Sequence, residues 1–243
     1  MEKCMQHTRV IQVWDWPLRL SHWLLAVAVI GAIITVKIGG NAMIWHERFG
    51  WLALGCVVFR VQWGFLGSHH ARFRQFLPNP WSIREYWQGR WQGLGHNPLG
   101  ALSVYALLFI VLLQAMLGLF SNDDIAFRGS LVSLISGDLS HELSSWHRRL
   151  EPVVFALIGL HLLAVLIYTL RGKGILLPMI HGKKEASAEQ MAYLQNKIEP
   201  MRSQEWRWLP FGIALLMTLG CVWLAAGGLI TPPAPAPVID LGW

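Results

Sequence analysis

Five apolar runs, at roughly residues 18–38, 46–66, 99–120, 148–170 and 208–230, alternate with polar segments along the chain. Each holds about 20 residues or more, enough for a helix to cross a hydrocarbon core of about 30 Å. Trp and Tyr gather at the ends of the runs (Trp14, Trp16, Trp45, Trp63, Trp146, Tyr168, Trp206, Trp208), as a membrane interface favours. The pattern predicts five transmembrane helices. Asp15 and Pro17 suit the cap and first turn of the first one. That run follows a basic start, as in a signal peptide, but it is long and no small-x-small cleavage site precedes Lys37, so it reads as a retained helix. Residues 183–206 are polar and centrally rich in helix formers, which predicts a surface helix between the fourth and fifth spans. The tail TPPAPAPVIDLGW is proline-rich and predicts an extended segment outside the membrane.

Composition supports the membrane reading. Of the 243 residues 54% are hydrophobic and only 14% charged, too few to clothe five core helices of a soluble protein. Lys and Arg are unevenly shared. Residues 1–20, 60–97 and 171–207 hold 15 of them, and the alternate connections hold 5. The positive-inside rule then places the N-terminus and the connections 67–98 and 171–207 in the cytoplasm and the C-terminus on the opposite side of the membrane. This asymmetry explains most of the net charge of +6, so binding to nucleic acid is not required. Cys4, Cys56 and Cys221 are far apart, and there is no CxxC or CxxCH, which excludes covalent c-type haem and a thiolate cluster.

Four of the ten histidines, His22, His46, His147 and His161, fall in or at the mouths of spans. An ionisable group there is costly and marks either a helix-to-helix hydrogen bond or a functional site. His147 and His161 are fourteen positions apart, which in a helix means one face and two depths about 21 Å apart. One metal cannot bridge that gap, whereas two planar cofactors at two depths can. Haem iron takes axial imidazoles, and neutral imidazole adds no charge to the membrane interior. Matching depths on antiparallel spans pairs His46 with His147 near the outer surface and His22 with His161 near the inner one. His161 lies further from its span end than His22 does, so the fourth helix protrudes or the helices tilt.

Arg60 lies fourteen after His46 and Arg19 three before His22, on the faces where an inner haem would carry its propionates. Arg48, Arg148 and Arg149 have the same relation to an outer haem. Each arginine equally suits positive-inside snorkelling. Gly50, one turn after His46, gives room either to a macrocycle or to a packed helix.

The chain resembles the bacterial cytochrome b561 family, in particular its branch of Ni/Fe-hydrogenase b-type cytochrome subunits. The likeness rests on VWDWPLRLSHWLL (13–25), WHERFGWLALGCVVFRVQWGFLG (45–67), HARF (70–73), HNPLG (96–100), the His147/His161 pair and PMIHGKK (178–184). It implies an all-α integral membrane protein: a four-helix dihaem bundle over 1–184, here followed by a linker (185–206) and by a fifth transmembrane helix with a periplasmic tail (207–243). It implies two noncovalent, bis-His b haems on His22, His46, His147 and His161. It also implies electron transfer between ubiquinone or menaquinone and a periplasmic c-type cytochrome or hydrogenase-like protein. The fifth helix, rich in small residues (Gly212, Ala214, Gly220, Ala225–Gly228), suits packing on the bundle, on another subunit or in a homo-oligomer. Two other readings remain: a superoxide:quinone oxidoreductase guided by Arg48, Arg148 and Arg149, and a transporter with proton-relaying histidines. A haem spectrum excludes the transporter, and superoxide-driven quinone reduction selects the oxidoreductase.

Overall fold

The computed structural model describes residues 9–230 except 92, 94, 126, 173, 187–189 and 191–207. A short strand, β1 (Arg9–Gln12), leads into helix α1 (Trp16–Ile38). Asp15 caps α1 by accepting from the Leu18 amide at 2.9 Å, and Pro17 occupies the first turn. The second Asp15 oxygen accepts from Trp63 Nε1 at 2.9 Å, so the cap also fastens the start of α1 to the end of α2 (Met43–Leu66). Gly39 and Gly40, at φ 70° and 52°, turn the chain between these two helices. The next elements are α3 (Pro80–Trp87), α4 (Pro98–Leu119), α5 (Gly137–Arg149), α6 (Glu151–Leu170), α7 (Leu176–His181), strand β2 (Lys183–Ala186) and α8 (Trp208–Ala225).

Five helical segments are long and apolar enough to cross a membrane, as the pattern predicts: α1, α2 with its leading turn, α4, the α5–α6 pair, and α8. Helix α2 is the hub. Half of its span is buried, against 17% for α1, α4 and α8 and 6% for α5–α6. It packs against α1, α4 and α8. Exposed apolar side chains elsewhere, such as Ile30, Phe109 and Leu163, face outward as lipid requires. The central core joins Ala28, Ala53, Val57, Ile110, Val111 and Val154 from α1, α2, α4 and α6. Val154 is seven positions from both His147 and His161, so the core separates the two histidine levels.

Three features differ from the sequence expectation. First, the fourth span is two helices. Pro152 supplies no amide and crowds the preceding turn, and the path breaks at Leu150. His147 therefore belongs to α5, a helix that begins at Gly137, eleven residues before the apolar run. Second, the fold is not purely helical. β1 pairs antiparallel with β2, Arg9 opposite Ala186 and Gln12 opposite Lys183. Gly182, at φ 84°, accepts from the Val13 and Trp14 amides, and a Cβ there would lie 2.5 Å from the Trp14 carbonyl. A boundary after Lys184 thus falls inside β2. Most of the expected surface helix, and the tail beyond residue 230, lie outside the described residues.

Third, only part of the small-residue set on α8 meets the bundle. Ala214 and Ala225 are buried, as is Thr218, which accepts from Gln62 Nε2 at 3.1 Å. A Cβ on Gly55 would lie 2.9 Å from Val222, so the glycine that permits close approach is on α2. Gly212 and Gly220 face open space.

Candidate functional site

The two histidine levels are built differently. At the end where α5 lies, His46 stands in the first turn of α2 with Nδ1 at 2.8 Å from the Ala32 carbonyl of α1. His147 stands in the last turn of α5 with Nδ1 at 3.0 Å from the Gln114 carbonyl of α4. Gln114 Nε2 donates back to the His147 carbonyl at 3.0 Å. A carbonyl can only accept, so each Nδ1 carries the proton and each Nε2 keeps its lone pair. This is how a metal-ligating imidazole is oriented by the hydrogen bond of its other nitrogen.

The two rings are 6.1 Å apart between centroids and nearly perpendicular, at 88°. A metal bonded to two imidazole nitrogens at about 2 Å each needs centroids roughly 6 Å apart. His46 and His147 line a cavity of about 300 Å³ together with Gly50, Gln114, Gly118 and Arg148, a size at the lower end of cofactor pockets. A Cβ at Gly50 would meet nothing within 4 Å. A Cβ at Gly118 would lie 3.2 Å from His147 Cε1, so that glycine admits the imidazole. Among the described residues no three His, Cys, Asp or Glu side chains converge to hold a bare ion. Two imidazoles lining one cavity would hold a metal that brings its other donors with it, as a haem iron does.

At the opposite end, where the β-sheet lies, His22 of α1 is within electrostatic range of His161 of α6. Nδ1 of His22, both terminal nitrogens of Arg60 and Nδ1 of His96 are sealed from solvent and make no hydrogen bond. Arg60 is 8% exposed and packs over Phe73 and Phe76 at 4.8 and 5.9 Å. His96 lies between Trp14 and Phe76, at 4.5 Å from each ring. Burial first, and then Arg60, His70 and His22, push the His96 imidazolium pKa down to about 3. Burial and His69 push that of His70 down to about 4. Both rings are neutral at pH 7. A buried guanidinium with two unpaired nitrogens is strongly destabilised unless an anion meets it. The orphaned imidazole and guanidinium nitrogens fit an iron porphyrin with carboxylate side chains.

Two arginines are placed otherwise than expected. Arg19 donates from Nη1 to the Ile180 carbonyl and from Nε to the Asp15 carbonyl at 3.4 Å, which ties α1 to α7. Arg149 is exposed and stacks on Trp146 at 5.7 Å, so Arg148 is the arginine that lines the cavity. Arg48 stacks on Trp45 at 4.9 Å. The sequence reading missed Gln114, Gly118 and His96. His96 stood in a quoted motif, and the Asn97–Pro98 cap that places it at the mouth of α4 was a readable signal.

Residues 13–182 match the family described as prokaryotic cytochrome b561. The chain belongs to that family. It is a multi-pass membrane electron-transfer protein of the b type, which implies haem b. Three relatives of this cytochrome carry the description "probable Ni/Fe-hydrogenase B-type cytochrome subunit". That of Azotobacter chroococcum mcd 1 is 28% identical over 201 residues, covering 67% of this chain and 83% of the relative. That of Azotobacter vinelandii is 30% identical over 138 residues, 45% of this chain and 57% of the relative. That of Cupriavidus necator is 23% identical over 178 residues, 60% and 66%. No solved structure matches this cytochrome.

Proposed function

We propose that this cytochrome holds two noncovalent b haems, an outer one between His46 and His147 and an inner one between His22 and His161, and relays electrons between membrane quinone and a periplasmic redox protein. The observation that carries the reading is the facing pair His46 and His147, each anchored through Nδ1 with Nε2 left to ligate. Haem b, when bound between these histidines, would supply one-electron transfer between ferric and ferrous iron. The chain supplies fixed imidazole tautomers, a cavity at one level, and at the other a buried cation, Arg60, for a propionate. Gly50 leaves the macrocycle space. The unequal sharing of Lys and Arg supports an orientation with the sheet end in the cytoplasm and the α5 end in the periplasm of the inner membrane.

The domain division follows: residues 1–186 form the haem-binding unit, and α8 with its tail forms an appended membrane element. The relatives' descriptions favour a hydrogenase-like partner over other periplasmic proteins. Exposed Asp123, Asp124, Asp138 and Glu142 around the α5 end favour a basic docking face on it. The test is stopped-flow spectroscopy of the purified protein in liposomes with decylubiquinol or a menaquinol analogue. Quinol reduction of both haems, followed by reoxidation by an external redox protein, is expected. Haems that exchange no electrons with either quinol or quinone contradict the proposal.

A further inference from the structure

His96 belongs to no ligand pair, yet it shares with Arg60 the features of an unfinished anion site. Its Nδ1 is sealed from water and lacks a partner, as are both terminal nitrogens of Arg60. The two residues meet on one ring: Phe76 lies 4.5 Å from His96 and 5.9 Å from Arg60. Trp14 holds the other side of the imidazole at 4.5 Å. Arg60 is also close enough to act on His96 electrostatically. Two aromatic faces therefore fix a neutral imidazole beside a dry guanidinium. An N–H donor and a fork of N–H donors that share one aromatic neighbour match a carboxylate, which accepts up to four hydrogen bonds and is favoured by charge assistance. Among the described residues Asp15 is the carboxylate whose charge acts on Arg60, and it accepts from the Leu18 amide and Trp63 Nε1 while the terminal nitrogens of Arg60 have no partner. A carboxylate from outside the polypeptide would complete the site.

We propose that His96 and Arg60 together bind one propionate of the inner haem, His96 donating from Nδ1 and Arg60 from its terminal nitrogens. The inference rests on the inner haem assigned to His22 and His161. His96 is a positioning residue: it touches no iron and sets the charge balance around the group. With a donor lost, the propionate's negative charge is less compensated and ferrous iron becomes harder to keep, so the inner midpoint potential falls.

His96→Asn and His96→Leu test this as a pair. The two side chains have one shape and remove the imidazole stacking equally, but only asparagine keeps an amide donor near the place of Nδ1. By redox titration the leucine variant should shift the inner reduction equilibrium at least tenfold toward ferric relative to the asparagine variant, about 59 mV for one electron. The outer transition should stay in place. Equal inner potentials in the two variants, or equal shifts of both haems, overturn the proposal. A second measurement needs no variant. Redox-difference infrared spectra of the wild-type protein, loaded with haem carrying 13C in its propionate carboxyls, should show the inner propionate fully ionised at pH 7. A protonated inner carboxyl overturns the proposal even if the variants do not assemble. Failure of the inner-haem reading itself looks different: His161→Ala would then leave the inner transition unchanged.

Discussion

Gly50→Leu separates a cofactor site from a packing void. Gly50 sits within α2 on the wall of the cavity of about 300 Å³, and a Cβ built there meets nothing within 4 Å. If the space were only a void, filling it would stabilise the protein. The reverse change, Leu→Ala in a packed core, costs about 2.7–5.0 kcal/mol, and replacing a helix-interior glycine adds roughly 0.8 kcal/mol. A gain of about 3 kcal/mol or more would raise the melting temperature by several degrees. If the space belongs to a macrocycle between His46 and His147, the leucine occupies its seat, and the outer haem is lost. The assay is a pyridine haemochrome titration with redox titration and thermal unfolding of the purified variant. One haem per chain, with one redox transition remaining, is expected. Two haems and a raised melting temperature would refute the assignment of the cavity.

Three further outcomes follow from the geometry. His161→Ala should remove the sheet-end redox transition and leave that of the His46–His147 level, which redox titration of membranes reads directly; loss of both from a folded protein would refute independent sites. His70 has an imidazolium pKa held at about 4 in the folded chain, so above about pH 6.5 its contribution to stability is fully present. As pH falls from 6.5 toward 4 the unfolded chain takes up a proton that the folded one does not, and melting followed by haem absorbance should move to lower temperature in a way that His70→Asn removes; melting that rises on acidification would contradict its burial. Deleting residues 187–243 should keep both redox transitions while lowering the melting temperature, since α2 loses the Gln62–Thr218 hydrogen bond and the packing of Ala214 and Ala225; loss of a haem would show that α8 supports the ligand helices.

Hydropathy located the spans because lipid demands long apolar helices, and His46 with His147 was legible because antiparallel spans force matching depths. Helix α5 was missed because GDLSHELSSWHRR is polar and continues the fourth span beyond the apolar run. The β1–β2 pair was missed because four-residue strands more than 170 positions apart leave no local period. The depth of Arg60, at the sheet end of α2, was readable by its fourteen-residue spacing from His46. Arg19 and Arg149 were not, because their partners are the Ile180 carbonyl and the Trp146 ring, neither of which helical phase reveals. The Ala32 and Gln114 carbonyls that fix the outer imidazoles were equally hidden, since any residue type supplies a carbonyl and only the fold chooses which.

Two imidazole pairs are proposed to hold two b haems. Haem content per chain, measured by pyridine haemochrome against amino-acid analysis and followed by extraction with acidified organic solvent, tests it most directly. Two haems per chain, all extractable, are expected, because the sequence contains no CxxCH to bind one covalently. One haem per chain, or pigment that remains with the polypeptide after extraction, would contradict it.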